Sequence, residues 1–344
     1  MPNSWFVVDA HNQYIPQEAV LASKGTKLDL TRPEHGAAFG MNRDMEGKLR
    51  MMDEAGIDAV LSHCASLNIL GLDFCKAMND GNARVARDYP DRVIPLAHLP
   101  LDGGATPEGL RELDRCILEL GFKGVALESS TMQHTLGSED LYPLYKRIDQ
   151  LDVPIVVHPG VMKHMQEGSS IESILKSGIK SQMLLQASTE IEDTTACIEV
   201  MFGVLNRFPN LKFLMPHHGG ALPIWQGRMK LTYVPEGFQI PEQFKKYFAK
   251  TPRIRQLVGL DQPFQEILDK LYFDTAGFGG WMPITTTAVS IISAKRLCFG
   301  TDYGLEMNEA ADVKLFIDNI KGLDIPEQDK RDILGENIRH LFKL

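Results

Sequence analysis

The chemistry-bearing residues of this sequence group by position rather than by a single motif. Of its ten histidines, six directly follow, or lie one residue beyond, a short strand-like run or its extension: His11, His63, His98, His158, His217 and His218. Glu128 and Asp302 place carboxylates in the same way. Neutral imidazole and carboxylate suit Zn, Mn, Fe or similar divalent ions. A fold that makes such residues converge would give a metal site, with one or two ions per chain.

The local motifs sharpen this expectation. Asp9-Ala10-His11-Asn12-Gln13 puts His11 and Gln13 two residues apart, on one side of an extended segment. A second imidazole would be a stronger ligand signal than the amide. Val157-His158-Pro159-Gly160 ends an apolar strand with an imidazole before a turn, which favours a ligand over a packed core histidine. In Met215-Pro216-His217-His218-Gly219-Gly220-Ala221-Leu222-Pro223 the glycines let the backbone bend close to a metal or ligand. Adjacent side chains on an extended segment point oppositely, so only one of the two histidines is expected to face the site. Phe299-Gly300-Thr301-Asp302-Tyr303 closes the last strand with an acid suited to a ligand or general base.

Glu128 ends the apolar Val125-Ala126-Leu127, where a carboxylate is costly unless paired or bound to a cation. The competing expectation is a solvated rim carboxylate bonded by Ser129 and Ser130. His63 and His98 stand without a supporting motif, and supporting or packing roles are expected for them.

These residues need elements to position them. Strand-forming runs at 6–9, 59–62, 93–97, 124–127, 155–157, 211–215, 271–274 and 297–299 alternate with helical patterns. Several are continuously apolar, as strands of a parallel sheet buried on both faces are. Met45, Leu49 and Met52 recur at helical spacing up to Gly56, and Pro107 opens a helix that closes at Gly121. The longest helical stretch is 182–207. Eight strands alternating with helices predict one (β/α)8 barrel (TIM barrel) domain over 1–344, with its active site at the C-terminal mouth. The stretch 229–262, with prolines at 235, 241 and 252, is the loosest. It is expected to form a small helical insertion over the mouth.

Composition narrows the function classes. Hydrophobic residues make up 44% and charged residues 24%, which excludes a disordered chain. Lys plus Arg is 36 against 45 Asp plus Glu, a net charge of −9 with no basic block. Nucleic acid and anionic membranes are therefore poor partners. No apolar run approaches the ~20 residues of a membrane span. Met1-Pro2-Asn3-Ser4-Trp5 has neither a basic nor a long apolar signal region. Cys64, Cys75, Cys116, Cys197 and Cys298 are scattered without a Cys-x-x-Cys pair, which fits reduced thiols and a cytoplasmic location. The expected partners are a small-molecule substrate and a second copy of the chain in a homo-oligomer (a dimer), or a paralogue in a hetero-oligomer.

The sequence resembles the amidohydrolase-2 family, the group of aminocarboxymuconate-semialdehyde decarboxylase and related aromatic-acid decarboxylases, hydratases and hydrolases. The resemblance runs through Val8-Asp9-Ala10-His11, Asp53-Glu54-Ala55-Gly56-Ile57-Asp58 and Pro154-Ile155-Val156-Val157-His158-Pro159. It continues through Phe208-Pro209-Asn210-Leu211-Lys212-Phe213, the His217-His218-Gly219-Gly220 run, Phe299 to Tyr303 and Gly335-Glu336-Asn337-Ile338-Arg339-His340-Leu341-Phe342. It implies a distorted (β/α)8 barrel with a divalent metal at the mouth. By this resemblance His11, His158 and Asp302 fall on the first-, fifth- and last-strand ligands. His217 falls on the sixth-strand histidine, commonly the acid/base beside the metal, and His218 on a variable position. Two residues depart from the pattern. Gln13 stands where the family has a second His or a Glu-x-His pair. Glu128 stands where family decarboxylases usually carry a small or neutral residue, and a carboxylate there can bridge two metals in the wider superfamily.

Three functional expectations follow. The first is a metal-dependent lyase or hydrolase that decarboxylates (non-oxidatively) or hydrolyses a small carboxylated, cyclic or unsaturated substrate. The ion would chelate the substrate carboxylate and a neighbouring oxygen, or hold a water whose pKa it lowers toward ~7. His217 would be the acid/base, with Asp302 holding the metal and shuttling a proton. Arg228 would pair with a substrate carboxylate, and Phe278, Trp281 and Trp225 would form an apolar wall. The second is a dinuclear Mn/Fe oxygen-activating hydroxylase, its two ions bridged by Glu128 and ligated by His11, Gln13, His158, His217 and Asp302. The third is a degenerate subunit that keeps a structural metal and supports an active paralogue.

Overall fold

A computed structural model of the chain describes residues 5–33, 40–160, 179–232 and 264–344. Its eight strands are β1 (Val8–Gln13), β2 (Ala59–His63), β3 (Val93–His98), β4 (Gly124–Glu128), β5 (Ile155–His158), β6 (Phe213–Met215), β7 (Leu271–Asp274) and β8 (Leu297–Cys298). They pair in sequence order, every neighbour parallel. The Ala10 amide donates to the Phe299 carbonyl (2.8 Å) and joins the last strand to the first, closing a (β/α)8 barrel.

Alternation along the strands decides what points inward. Leu61, Leu96, Ala126, Val156 and Leu214 fill the barrel interior. Val60, Ala97, Val125, Val157 and Phe213 pack outward against the helices. Two residues beyond the inward set come His63, His98, Glu128 and His158, so the same period aims them at the mouth. In β1 the pairing with β2 shifts between Asp9 and Asn12. This irregularity changes the parity and turns His11 and Gln13 inward rather than Asn12.

Some boundaries differ from the sequence expectation. β1 runs on through Gln13, because its backbone stays paired with β2 as far as Gln13 opposite His63. β6 starts only at Phe213 and β8 ends at Cys298, where pairing with β7 begins and stops. The long helix Ile179–Glu199 passes through a π turn, Val200–Val204, into Leu205–Arg207. The helix Met45–Ala55 has clear ends: the Asp44 side chain accepts from the Gly47 amide, and Gly56 caps the far end at φ 82°.

One side of the mouth is already covered. After β2 the 3-10 turn Ala65–Leu70 lies against β4 and β5. The Asn68 amide there donates to the carbonyls of Leu99 (3.0 Å) and Ala126 (2.9 Å). The insertion expected over 229–262 lies outside the described residues from 233 onward; Leu222–Thr232 is helical. Among the described residues no helix is long and apolar enough to cross a membrane, and the five cysteines are free and buried.

Candidate metal centre

Three buried groups from β1, the turn after β6 and the turn after β8 meet at the mouth. One ligand atom each from His11, His217 and Asp302 lies within 4.8 Å of the others. Both imidazoles are oriented by a carboxylate behind them. His11 Nδ1 donates to Asp274 Oδ2 (2.9 Å), and His217 Nδ1 donates to Asp193 Oδ2 (2.8 Å). That leaves both Nε2 atoms buried without a partner among the described residues, with Asp302 Oδ1 3.7 Å from His11 Nε2. The two rings stack at 5.1 Å and 18°. A carboxylate behind each imidazole is the arrangement that fixes tautomer and raises basicity in metal-binding histidines. Two buried imidazole nitrogens without a partner among the described residues, beside a buried carboxylate, fit a divalent ion.

The backbone gives up conformational ease to aim these groups. His217, His218 and Asp302 have φ of 52°, 58° and 49°, three of the five positive-φ residues other than glycine among those described. Such conformations are uncommon outside glycine and tend to gather at functional sites. The His217 amide donates to Asp274 Oδ1 (2.9 Å) and the Asp302 amide to the His11 carbonyl (2.9 Å). Asp9 fastens β1 to the turn after β8. Its carboxylate accepts from the His11 amide (3.1 Å), Asn12 Nδ2 (2.9 Å), the Thr301 amide (3.0 Å) and Thr301 Oγ1 (2.6 Å).

One histidine of the pair faces the cluster, though not through strand alternation. β6 ends at Met215, and His217–Gly219 is a tight turn. It sends His217 to the cluster. The His218 ring lies against Phe278 (5.7 Å), with Nε2 3.3 Å from Thr285 Oγ1.

Charge divides the histidines into two kinds. Burial alone would lower His11, but the Asp274 carboxylate overrides it and raises its pKa. For His217 burial is likewise overridden, by Asp193 first and then Asp274 and Asp302, and the pKa is raised. Burial and the neighbouring His11 push His158 down to about 3. Burial, His11 and His158 push His63 well below the usual range. Both of the latter rings are therefore neutral.

Gln13 and His158 stand beside the cluster. Gln13 Nε2 donates to Asp302 Oδ1 (2.7 Å) and to His158 Nε2 (3.2 Å), while its Oε1 accepts from the Cys64 thiol (3.2 Å). His158 Nδ1 donates to the Pro159 carbonyl (3.0 Å). Glu128 sits opposite His158 in register. Its Oε1 accepts from the Leu101 amide (3.1 Å), its Oε2 has no partner, and burial pushes its pKa up to about 8. The carboxylate is fully buried, so it is not a solvated rim group, and Ser129 donates to Glu192 instead. His98 is pinned by the backbone: Nε2 accepts from the Cys64 amide (3.0 Å) and Nδ1 donates to the Leu96 carbonyl (3.1 Å).

The residues expected to hold substrate are exposed or half-buried. Arg228 is exposed on Leu222–Thr232. Trp225 and Trp281 are 53% and 62% exposed, and Phe278 is half-buried against His218. The sequence reading passed over Asp193, Asp274 and Lys48. Asp274 closes the strand 271–274 and carries the same positional signal as Glu128. Asp193 lies within a long helix, 24 residues before His217, with no local mark. Lys48 is buried on the helix Met45–Ala55, its Nζ 3.4 Å from the Tyr303 carbonyl. Burial brings its pKa down to about 8, against the opposing charges of Asp9 and Asp302.

Residues 8–344 match the Amidohydrolase family. The 2-amino-3-carboxymuconate-6-semialdehyde decarboxylase of Dictyostelium discoideum is 27% identical over 266 residues, 77% of this chain and 65% of that protein, just under two thirds of its length. The γ-resorcylate decarboxylase of a Polaromonas species is 27% identical over 355 residues, covering 96% of each chain. Among solved structures, the 5-carboxyvanillate decarboxylase of Novosphingobium aromaticivorans, complexed with manganese and a nitrobenzoic acid, superposes with a TM-score of 0.75 at 19% identity. It covers 99% of this chain and 97% of that one. The match across nearly the whole chain, on a closed eight-stranded barrel, makes this protein a member of the Amidohydrolase family.

Proposed function

We propose that this chain is a metal-dependent, non-oxidative decarboxylase of a small carboxylated aromatic or unsaturated acid. The observation that carries the reading is the pair of carboxylate-backed imidazoles that converge with Asp302. The relatives' names support the reaction class. One divalent ion per chain, of the kind bound in the related manganese structure, would supply Lewis-acid positive charge for an anionic substrate at this point.

His11 and Asp302 would hold that ion, with His158 beside them. His217 would bring the proton. Asp193 accepts its Nδ1–H and raises the pKa of the ring, so the protonated imidazole presents an Nε2–H toward the same point. The carbon–carboxylate bond breaks, its electron pair remains on the substrate carbon, and the His217 proton completes the new C–H bond as CO2 leaves. The turn that imposes φ 52° on His217 holds this donor in place without reorganisation. The dinuclear oxygen-activating reading draws no support from the decarboxylases named above, and Glu128 stands outside the three-residue group.

The test is CO2 release from γ-resorcylate, 5-carboxyvanillate and aminocarboxymuconate semialdehyde by protein reloaded with manganese or zinc. Release that needs the ion, and a His217→Asn variant about a hundredfold slower with its metal retained, are the expected results. Failure of all three substrates with metal-loaded protein counts against decarboxylation. Loss of the metal in His217→Asn would make His217 a ligand rather than the acid.

A further inference from the structure

His63 is buried on the inner face of β2, and among the described residues neither of its ring nitrogens has a hydrogen-bond partner. The Ala10 carbonyl lies near the ring but without a hydrogen bond of ordinary geometry. Its surroundings are imidazoles. The ring centre is 5.1 Å from that of His11 and 5.9 Å from that of His158. By contrast His98, at the same position on the next strand, spends both nitrogens on backbone groups. A packed core histidine would be expected to look like His98, because a buried polar nitrogen without a partner is destabilising.

The position of His63 on the β1–β2 rung gives the unpaired nitrogens a use. Gln13 and His63 are paired in register, and both project inward. Gln13 has committed its amide: Nε2 goes to Asp302 and His158, and Oε1 takes the Cys64 thiol. On that rung the uncommitted lone pair belongs to the imidazole.

We infer that His63, rather than Gln13, supplies the β1–β2 rung's donor to the ion, as a further imidazole beside His11 and Asp302. Gln13 then positions Asp302 and His158 from behind. The inference rests on the metal reading above and assigns to this chain a ligand on β2. His63 stands outside the group whose atoms lie within 4.8 Å of one another, so ligation brings its ring toward His11. The ligand taken is a borderline divalent cation such as zinc, cobalt or manganese.

Two measurements test it. In a crystal structure of the cobalt-loaded wild-type protein, a His63 nitrogen is expected at about 2.1 Å from the ion; a separation above roughly 3 Å overturns the inference. In solution, His63→Ala and His63→Gln are expected to bind cobalt at least tenfold more weakly and to shift its visible ligand-field bands. Metal-free unfolding midpoints check that each variant folds, and the wild-type crystal structure decides if neither does. Unchanged affinity and bands in both His63 variants would overturn the inference while leaving the metal centre intact. Wild-type protein that binds no cobalt overturns both.

Discussion

A histidine in this barrel acquires its character from the group behind its Nδ1. Asp274 and Asp193 stand behind His11 and His217 and raise them against the effect of burial. A carbonyl stands behind His158, which stays neutral. Glu128 shows the converse case. Burial outweighs the backbone amides and the Asn68 side chain that favour its charge, so its carboxyl is lifted to about 8 and it keeps its proton at neutral pH. The consequence for stability has a definite sign. The folded protein holds a proton that the unfolded chain releases above the ordinary carboxylate value of 4.5, so stability falls as pH rises from there to about 8. Glu128→Gln removes that slope. Urea midpoints of wild type and variant are expected to coincide near pH 5 and to separate in the variant's favour at pH 8, with a ceiling on the order of 4 kcal/mol. Parallel profiles would mean that Glu128 is ionised and balanced by a cation, which would restore the bridging-metal reading.

At the scale of elements, the turns carry more of the site than the strands. Gly277 follows β7 at φ 89°, and a Cβ there would come within 2.6 Å of the His217 ring. Gly277→Ala meets both a disfavoured backbone conformation and a clash with the proposed acid. The variant is expected to fold with a lowered midpoint and to lose turnover at least tenfold, while its metal content stays near wild type. Thermal unfolding, metal analysis and CO2 release together check this, and wild-type turnover would show that the His217 ring has room to move. This dependence on turns explains what the sequence made legible. Short apolar runs between helical patterns located all eight strands and placed His11, His158, Glu128 and Asp302 toward the C-terminal mouth. Strand alternation let only one of His217 and His218 face inward, but the observed cause is a left-handed turn that periodicity does not encode. Asp193 was invisible because a helix 24 residues upstream reaches His217 only through tertiary packing. His63 looked bland because its meaning lies in its unpaired nitrogens, which only three-dimensional structure exposes.

For the molecule as a whole, the candidate centre sits on the barrel's seam. β8 meets β1 through the Ala10–Phe299 and Asp302–His11 backbone bonds and the Asp9 carboxylate, and His11 and Asp302 lie on opposite sides of that join. An ion held by both would tie the last strand to the first, so its binding should stabilise the closed barrel against global unfolding. At a hundred times its dissociation constant such an ion adds about 2.7 kcal/mol. For a chain of this size that raises the unfolding midpoint by several degrees, and a chelator should return it. The gain is expected to depend on pH in one direction. His11 has a raised pKa and must surrender its Nε2 proton to bind the ion, so protons compete with metal below that value. Affinity should therefore fall as the pH is lowered. Calorimetry in buffers of different ionisation enthalpy should register about one proton released per ion below that pKa. A midpoint that rises equally with metal above and below that pKa, with no proton released, would place the ion away from His11 and the seam.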